Sequence, residues 1–174
     1  MNWMELLQTE IESAYRATEK MAALVEAKDL AWKPATGSNW MTTGQLLKHL
    51  TGSCGHGFRG CITGDWGIPK GVDVKDLKPA EMLPPAEKLP TVASVAEAQE
   101  LFRKDHQIVL EVLATCTEEK LAQTPTPLPW DPRPLMLGYR LLQMLDHLKQ
   151  HKAQLFYYLK LQGKAVNTGT MYGM

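Results

Sequence analysis

Neither sign of charge is in excess in this sequence: 19 Lys and Arg are matched by 19 Asp and Glu across 174 residues. Partners rich in phosphate need a surplus of Lys and Arg on some face. The balance therefore gives no electrostatic basis for binding nucleic acid or an acidic membrane surface. Cysteine is scarce. Cys54, Cys61 and Cys116 stand 7 and 55 residues apart, a spacing that makes neither a disulfide framework nor a paired-cysteine metal knuckle. No apolar run approaches the roughly 20 residues that span a bilayer. The opening MNWMELLQTEIESAYR carries acids where a secretory leader has a basic segment and then an apolar one. Strand-like alternation never extends beyond a few residues, and no internal repeat is present. What is there is ordinary globular composition, 44% hydrophobic and 22% charged, which excludes disorder as the main state. The expectation is one soluble, cytoplasmic domain over residues 1–174 with reduced thiols.

Proline punctuates the chain. Ten of the eleven prolines fall in two clusters, Pro69 to Pro90 and Pro125 to Pro134. A proline inside a helix costs roughly 3 kcal/mol, so the clusters are connections and the stretches between them are helices. The first predicted helix runs from Trp3 to Ala27, with Met4, Leu7, Ile11, Ala14, Thr18, Met21 and Val25 along one stripe. The second starts at Thr42 or Thr43 and carries Leu46, Leu47, Leu50, Cys54, Phe58 and Cys61 on one side. Gly52, Gly55, Gly57 and Gly60 lie within it, which means either an early end or the close approach of another backbone. A connection from Gly64 to Ser94 follows, long enough to be a lid or a crossover. The third helix opens at Ser94 with a capping pattern to Glu97. The fourth runs from Leu135 to Leu161 and stops at Gly163. Four helices with one long crossover between the second and third predict an all-α four-helix bundle.

The histidines offer chemistry. His147 and His151 stand at i and i+4 on the fourth helix, about 40° apart and one turn along the axis, so their rings converge. A helix offers two nitrogen ligands to a divalent metal in this way. Both lie at the edge of the apolar stripe, about 60° from its centre for His151 and about 100° for His147. A third ligand is needed, and spacing leaves His49, His56 and His106 as alternatives. His49 and His56 are about 10 Å apart along one helix, so only one of them could serve.

Two segments carry a resemblance. LAWKPATGSNWMTTGQLLKHLTGS is similar to the pattern of Trp and Pro, a small loop, then a second helix with a His, found in the DinB-like (DinB/YfiT) superfamily. HLKQHKAQLFYYLKLQG is similar to that superfamily's fourth helix, with its paired His, a following Gln and a closing Gly. The order of helices and the long crossover agree, whereas residues 64–134 carry no recognised motif. The resemblance implies a four-helix bundle holding a divalent metal through His49, His147 and His151. It implies activity as a metal-dependent thiol S-transferase, with a low-molecular-weight thiol such as bacillithiol or mycothiol, or as an isomerase or hydrolase. It also implies a small-molecule substrate and a homodimer. The superfamily name refers to induction by DNA damage, not to DNA binding. The alternative function is a non-catalytic, stress-related protein that binds a metal or small ligand.

Three neutral imidazoles leave an open position on the metal and its full charge, a strong Lewis acid. Zn or Ni is expected first, with Fe, Mn and Co also compatible with nitrogen ligands. Cys54 as a fourth, closing ligand is disfavoured, because it falls in the apolar stripe and His49 does not. Asp105 lies at the centre of the third helix's apolar face. A buried carboxylate needs a partner, and a metal-bound His, a bound substrate, Arg140 or a Lys near the bundle end would supply one. Gln154 follows His151 by three residues and faces as His147 does, which makes it a second candidate to support the ligands. Trp40, Trp66 and Trp130 lie in connections where aromatics either line a pocket or plug the bundle.

Overall fold

The computed structural model describes residues 2–68 and 84–174. Helix α1 spans Trp3–Ala22. Asn2 caps it reciprocally with Glu5, and the Trp3 and Met4 N–H groups donate to the Glu118 carboxylate at 2.8 and 3.0 Å. That places an anion at the positive end of the helix dipole. The predicted helix continued to Ala27, but the structure ends it at Ala22. There the Leu24 and Val25 N–H groups turn to carbonyls three residues back, tightening the last turn. Val25 remains buried, so the apolar stripe outlasts the helix.

The second predicted helix is two. Helix α2 spans Thr43–Leu50 and α3 spans Gly55–Thr63. Thr42 and Gln45 form a capping box at the start of α2. At the start of α3 the Gly55 N–H donates to Asp105 Oδ1 at 2.9 Å. A Cβ on Gly55 would lie 2.5 Å from that oxygen and 3.0 Å from the Asp105 carbonyl oxygen. Both readings of the glycines hold: the helix ends early, and a neighbouring backbone comes close.

Helix α4 spans Val95–Leu113, with Ser94 Oγ accepting from the Glu97 N–H as the capping pattern requires. Two short helices, α5 at Glu118–Gln123 and α7 at Thr168–Tyr172, were not foreseen. Between them α6 spans Leu137–Leu161, and Gly163 follows it with φ 77°. The bundle consists of α1, the α2–α3 pair, α4 and α6, with α1 packed on α6, and α3 packed on both α4 and α6. Leu7, Ile11, Leu46, Leu50, Phe58, Val109, Leu141, Leu145 and Leu148 fill its core. Among the described residues there is no strand, and no helix long and apolar enough to cross a membrane.

Both proline-rich connections are tied to the bundle. Residues 69–83, the middle of the connection expected to be a lid or a crossover, lie outside the described residues. The end of that connection is anchored to α2, where Gln45 Nε2 donates to the Ala86 and Leu89 carbonyls at 2.8 and 2.9 Å. The second connection is held by Arg140, which is fully buried. Its guanidinium donates to the carbonyls of Thr126, Asp131 and Arg133 and to Asp131 Oδ2. These bonds fix the loop that carries Trp130.

Candidate metal centre

His49 comes from the last turn of α2, and His147 and His151 come from successive turns of α6. The bundle brings one ring nitrogen of each within 4.8 Å of the others. His147 Nε2 lies 3.1 Å from His49 Nε2 and 2.9 Å from His151 Nε2. Among the described residues no carboxylate or thiol joins the three.

Neighbouring groups set the tautomer of His151. The Met41 carbonyl can only accept, so the Tyr158 hydroxyl donates its single proton to it at 2.9 Å. The Tyr158 oxygen then accepts from Gln154 Nε2 at 3.1 Å. That turns Gln154 Oε1 toward His151 Nδ1, 3.0 Å away. An amide oxygen carries no proton, so Nδ1 donates, and the neutral ring presents the Nε2 lone pair to the other histidines.

Burial keeps all three rings neutral. It lowers the pKa of His147 and of His151, although the bond to Gln154 opposes it at His151. His49 is lowered to about 4, first by burial and then by His151 and His147. Three neutral rings at these distances make poor hydrogen-bonding partners, because His147 Nε2 has one in-plane position and two neighbours. A cation among them satisfies every lone pair at once. Nitrogens about 2.0–2.1 Å from one ion stand about 2.9 Å apart at a right angle and about 3.3 Å apart at the tetrahedral angle. The distances from His147 Nε2 to the other two, 2.9 and 3.1 Å, fall within that interval, and all three nitrogens lie within 4.8 Å of one another. The donor set therefore fits a divalent metal.

A cavity of about 810 Å³ opens beside His49 and His147. Residues 10–155 match the sequence profile of the DinB superfamily. The chain belongs to the DinB superfamily. The fold agrees: a crystal structure of the DinB-like protein YjoA from Bacillus subtilis superposes with a TM-score of 0.65. It is 17% identical, and the match covers 92% of this chain and 94% of that one. No curated protein matches the chain.

This DinB-superfamily chain places the other expected residues unevenly. Gln154 lies against His151, as described. Asp105 bonds none of the side chains expected to partner it. It is 3% exposed, accepts from the Tyr15 hydroxyl at 2.5 Å and from the Gly55 N–H at 2.9 Å, and makes no bond to Arg140 or to any of the three histidines. Its carboxylate joins α1, α3 and α4 through these two bonds. Burial raises its pKa to about 6, against the two hydrogen bonds. Tyr15, ninety residues away in sequence, carries no signal that would have announced it. His106 stacks on Tyr15 with ring centroids 4.2 Å apart, away from the three. Cys54 is fully buried, and burial holds its thiol protonated. His56, Trp66 and Trp130 line the cavity, whereas Trp40 packs toward Tyr158.

Proposed function

We propose that this chain is a divalent-metal-dependent enzyme acting on a small molecule, of the thiol S-transferase or hydrolase type, with His49, His147 and His151 as its metal ligands. The observation that carries this reading is the convergence of three neutral ring nitrogens, one oriented by Gln154, at the edge of a cavity large enough for a substrate. A metal held only for structure is normally enclosed by four protein ligands. Here the three histidines have no fourth protein partner among the described residues, and the cavity gives access.

A divalent ion held there supplies Lewis acidity, enough to ionise water or a thiol near neutral pH. The chain's own residues do the rest. Gln154 and Tyr158 keep His151 in the tautomer that offers Nε2. Burial keeps the three rings deprotonated and ready to bind. The apolar cavity walls limit competing water. We also propose a homodimer, which light scattering on the purified chain tests.

The reading is tested by assaying the purified protein with low-molecular-weight thiols against a panel of electrophiles, and with ester and amide substrates. Each is run after chelator treatment and after reloading with Zn or Ni. Turnover that disappears on chelation and returns on reloading supports an enzyme. Stoichiometric metal without any turnover favours the binding-protein alternative.

A further inference from the structure

Among the described residues, the cavity beside the three histidines has mostly apolar lining and charge of one sign. Its volume, about 810 Å³, lies within the roughly 300–1,000 Å³ typical of small-molecule sites. Trp66 and Trp130 meet edge to face in its lining, with ring centroids 5.1 Å apart. Trp130 is 56% exposed, so it is not a core plug, and its loop is pinned by Arg140. A pair of indoles in the lining of a cavity suits a flat apolar ligand. Met144, Ile68 and Leu89 add further apolar lining.

The polar groups narrow the choice. Lys48 is the one charged side chain in the described lining, and no Asp or Glu accompanies it. It is half-buried, and among the described residues its ammonium has no ion pair or hydrogen-bond partner. A half-buried cation with no counter-charge among the described residues favours an incoming anion and disfavours a cation. Gln45 does not compete, because its amide is already engaged by the Ala86 and Leu89 carbonyls and the Thr42 N–H.

We propose that this cavity binds a small organic anion with a flat, aromatic-sized apolar body, the body against Trp66 and Trp130 and the acidic group on Lys48 Nζ. This deepens the enzyme reading and rests on it in one respect, that the reactive end of such a molecule lies toward His49 and His147.

Three probes that differ in one group test it: 2-naphthoate, 2-naphthalenemethanol and 2-naphthylmethylammonium. Each is titrated calorimetrically into the full chain, first stripped of metal with a chelator and then reloaded. In the stripped protein naphthoate binds about tenfold more tightly than the alcohol, the scale of one charge-assisted hydrogen bond, and the ammonium binds weakest. Lys48→Met brings naphthoate to the level of the alcohol and leaves the alcohol unchanged, whereas Lys48→Arg keeps the preference. Trp130→Ala weakens naphthoate and the alcohol alike. Melting curves establish that each variant is folded. Equal binding of the three probes, binding of none, or an unchanged naphthoate affinity in Lys48→Met overturns the proposal. Naphthoate preference in a protein that takes up no metal removes the metal-site reading and leaves the anion site standing. Metal uptake without the preference does the reverse.

Discussion

His151 Nδ1 gives its proton to Gln154 Oε1 at 3.0 Å, and the direction of that bond is set two residues further on, at the Met41 carbonyl. The relay matters because outer partners of this kind hold a ligand's ring orientation and tautomer. Gln154→Ala is expected to weaken divalent-metal affinity roughly 10- to 100-fold, measured by competition with a chelating dye. Gln154→Glu, which still accepts from Nδ1, keeps most of the affinity. Tyr158→Phe frees the amide to turn over and gives a smaller loss. Unchanged affinity in Gln154→Ala would mean that the relay does not orient His151.

Asp105 makes stability depend on pH with a definite sign. Its folded pKa is about 6, above its ordinary 3.8. The native state thus holds this proton more tightly than the unfolded chain. The resulting stability is fully present below pH 3.8 and lost as pH rises through 6, by at most about 3 kcal/mol. His49 works the other way across the same interval. Its folded pKa of about 4 lies below its ordinary 6.5, so its contribution is complete above 6.5 and lost as pH falls toward 4. The difference between wild type and Asp105→Asn cancels the histidine contribution. Urea unfolding of metal-free protein should show wild type losing stability relative to Asp105→Asn between pH 4 and 7. A constant difference would contradict the assignment.

The break between α2 and α3 makes its two glycines unequal. A Cβ at Gly55 meets Asp105 at 2.5 and 3.0 Å, while one at Gly52 meets nothing within 4 Å. Gly55→Ala is expected to cost about 1–3 kcal/mol through overpacking. Gly52→Ala, whose φ is not positive, is expected to be neutral or to stabilise by up to about 1 kcal/mol. Thermal and urea unfolding of the two variants separates these outcomes.

Much of the bundle was legible in the sequence because proline and apolar periodicity act locally. The seams of α1, α4 and α6 follow from residues three and four apart, and Ser94 with Glu97 marked the start of α4 four residues at a time. The end of α1 was not legible, because Leu24 and Val25 prolong the apolar pattern past the last helical turn. The glycines raised a break near residues 51–54 but could not decide it, since the Gly55 N–H that opens α3 bonds Asp105, fifty residues away. His147, His151 and Gln154 share one helix, so their convergence follows from its period. His49 was separable from His56 and His106 only by resemblance, because the choice depends on how helices pack. Asp105 was correctly expected to need a partner, but Tyr15 lies on another helix and periodicity cannot point to it.

The most direct measurement is the metal content of the purified chain, by elemental analysis, beside that of the double variant His147→Ala, His151→Ala. The wild type should carry one divalent ion per chain, removable by a chelator and restored by Zn or Ni, and the double variant, folded by circular dichroism, should carry none. A wild type with no more metal than the double variant would contradict the metal centre formed by His49, His147 and His151.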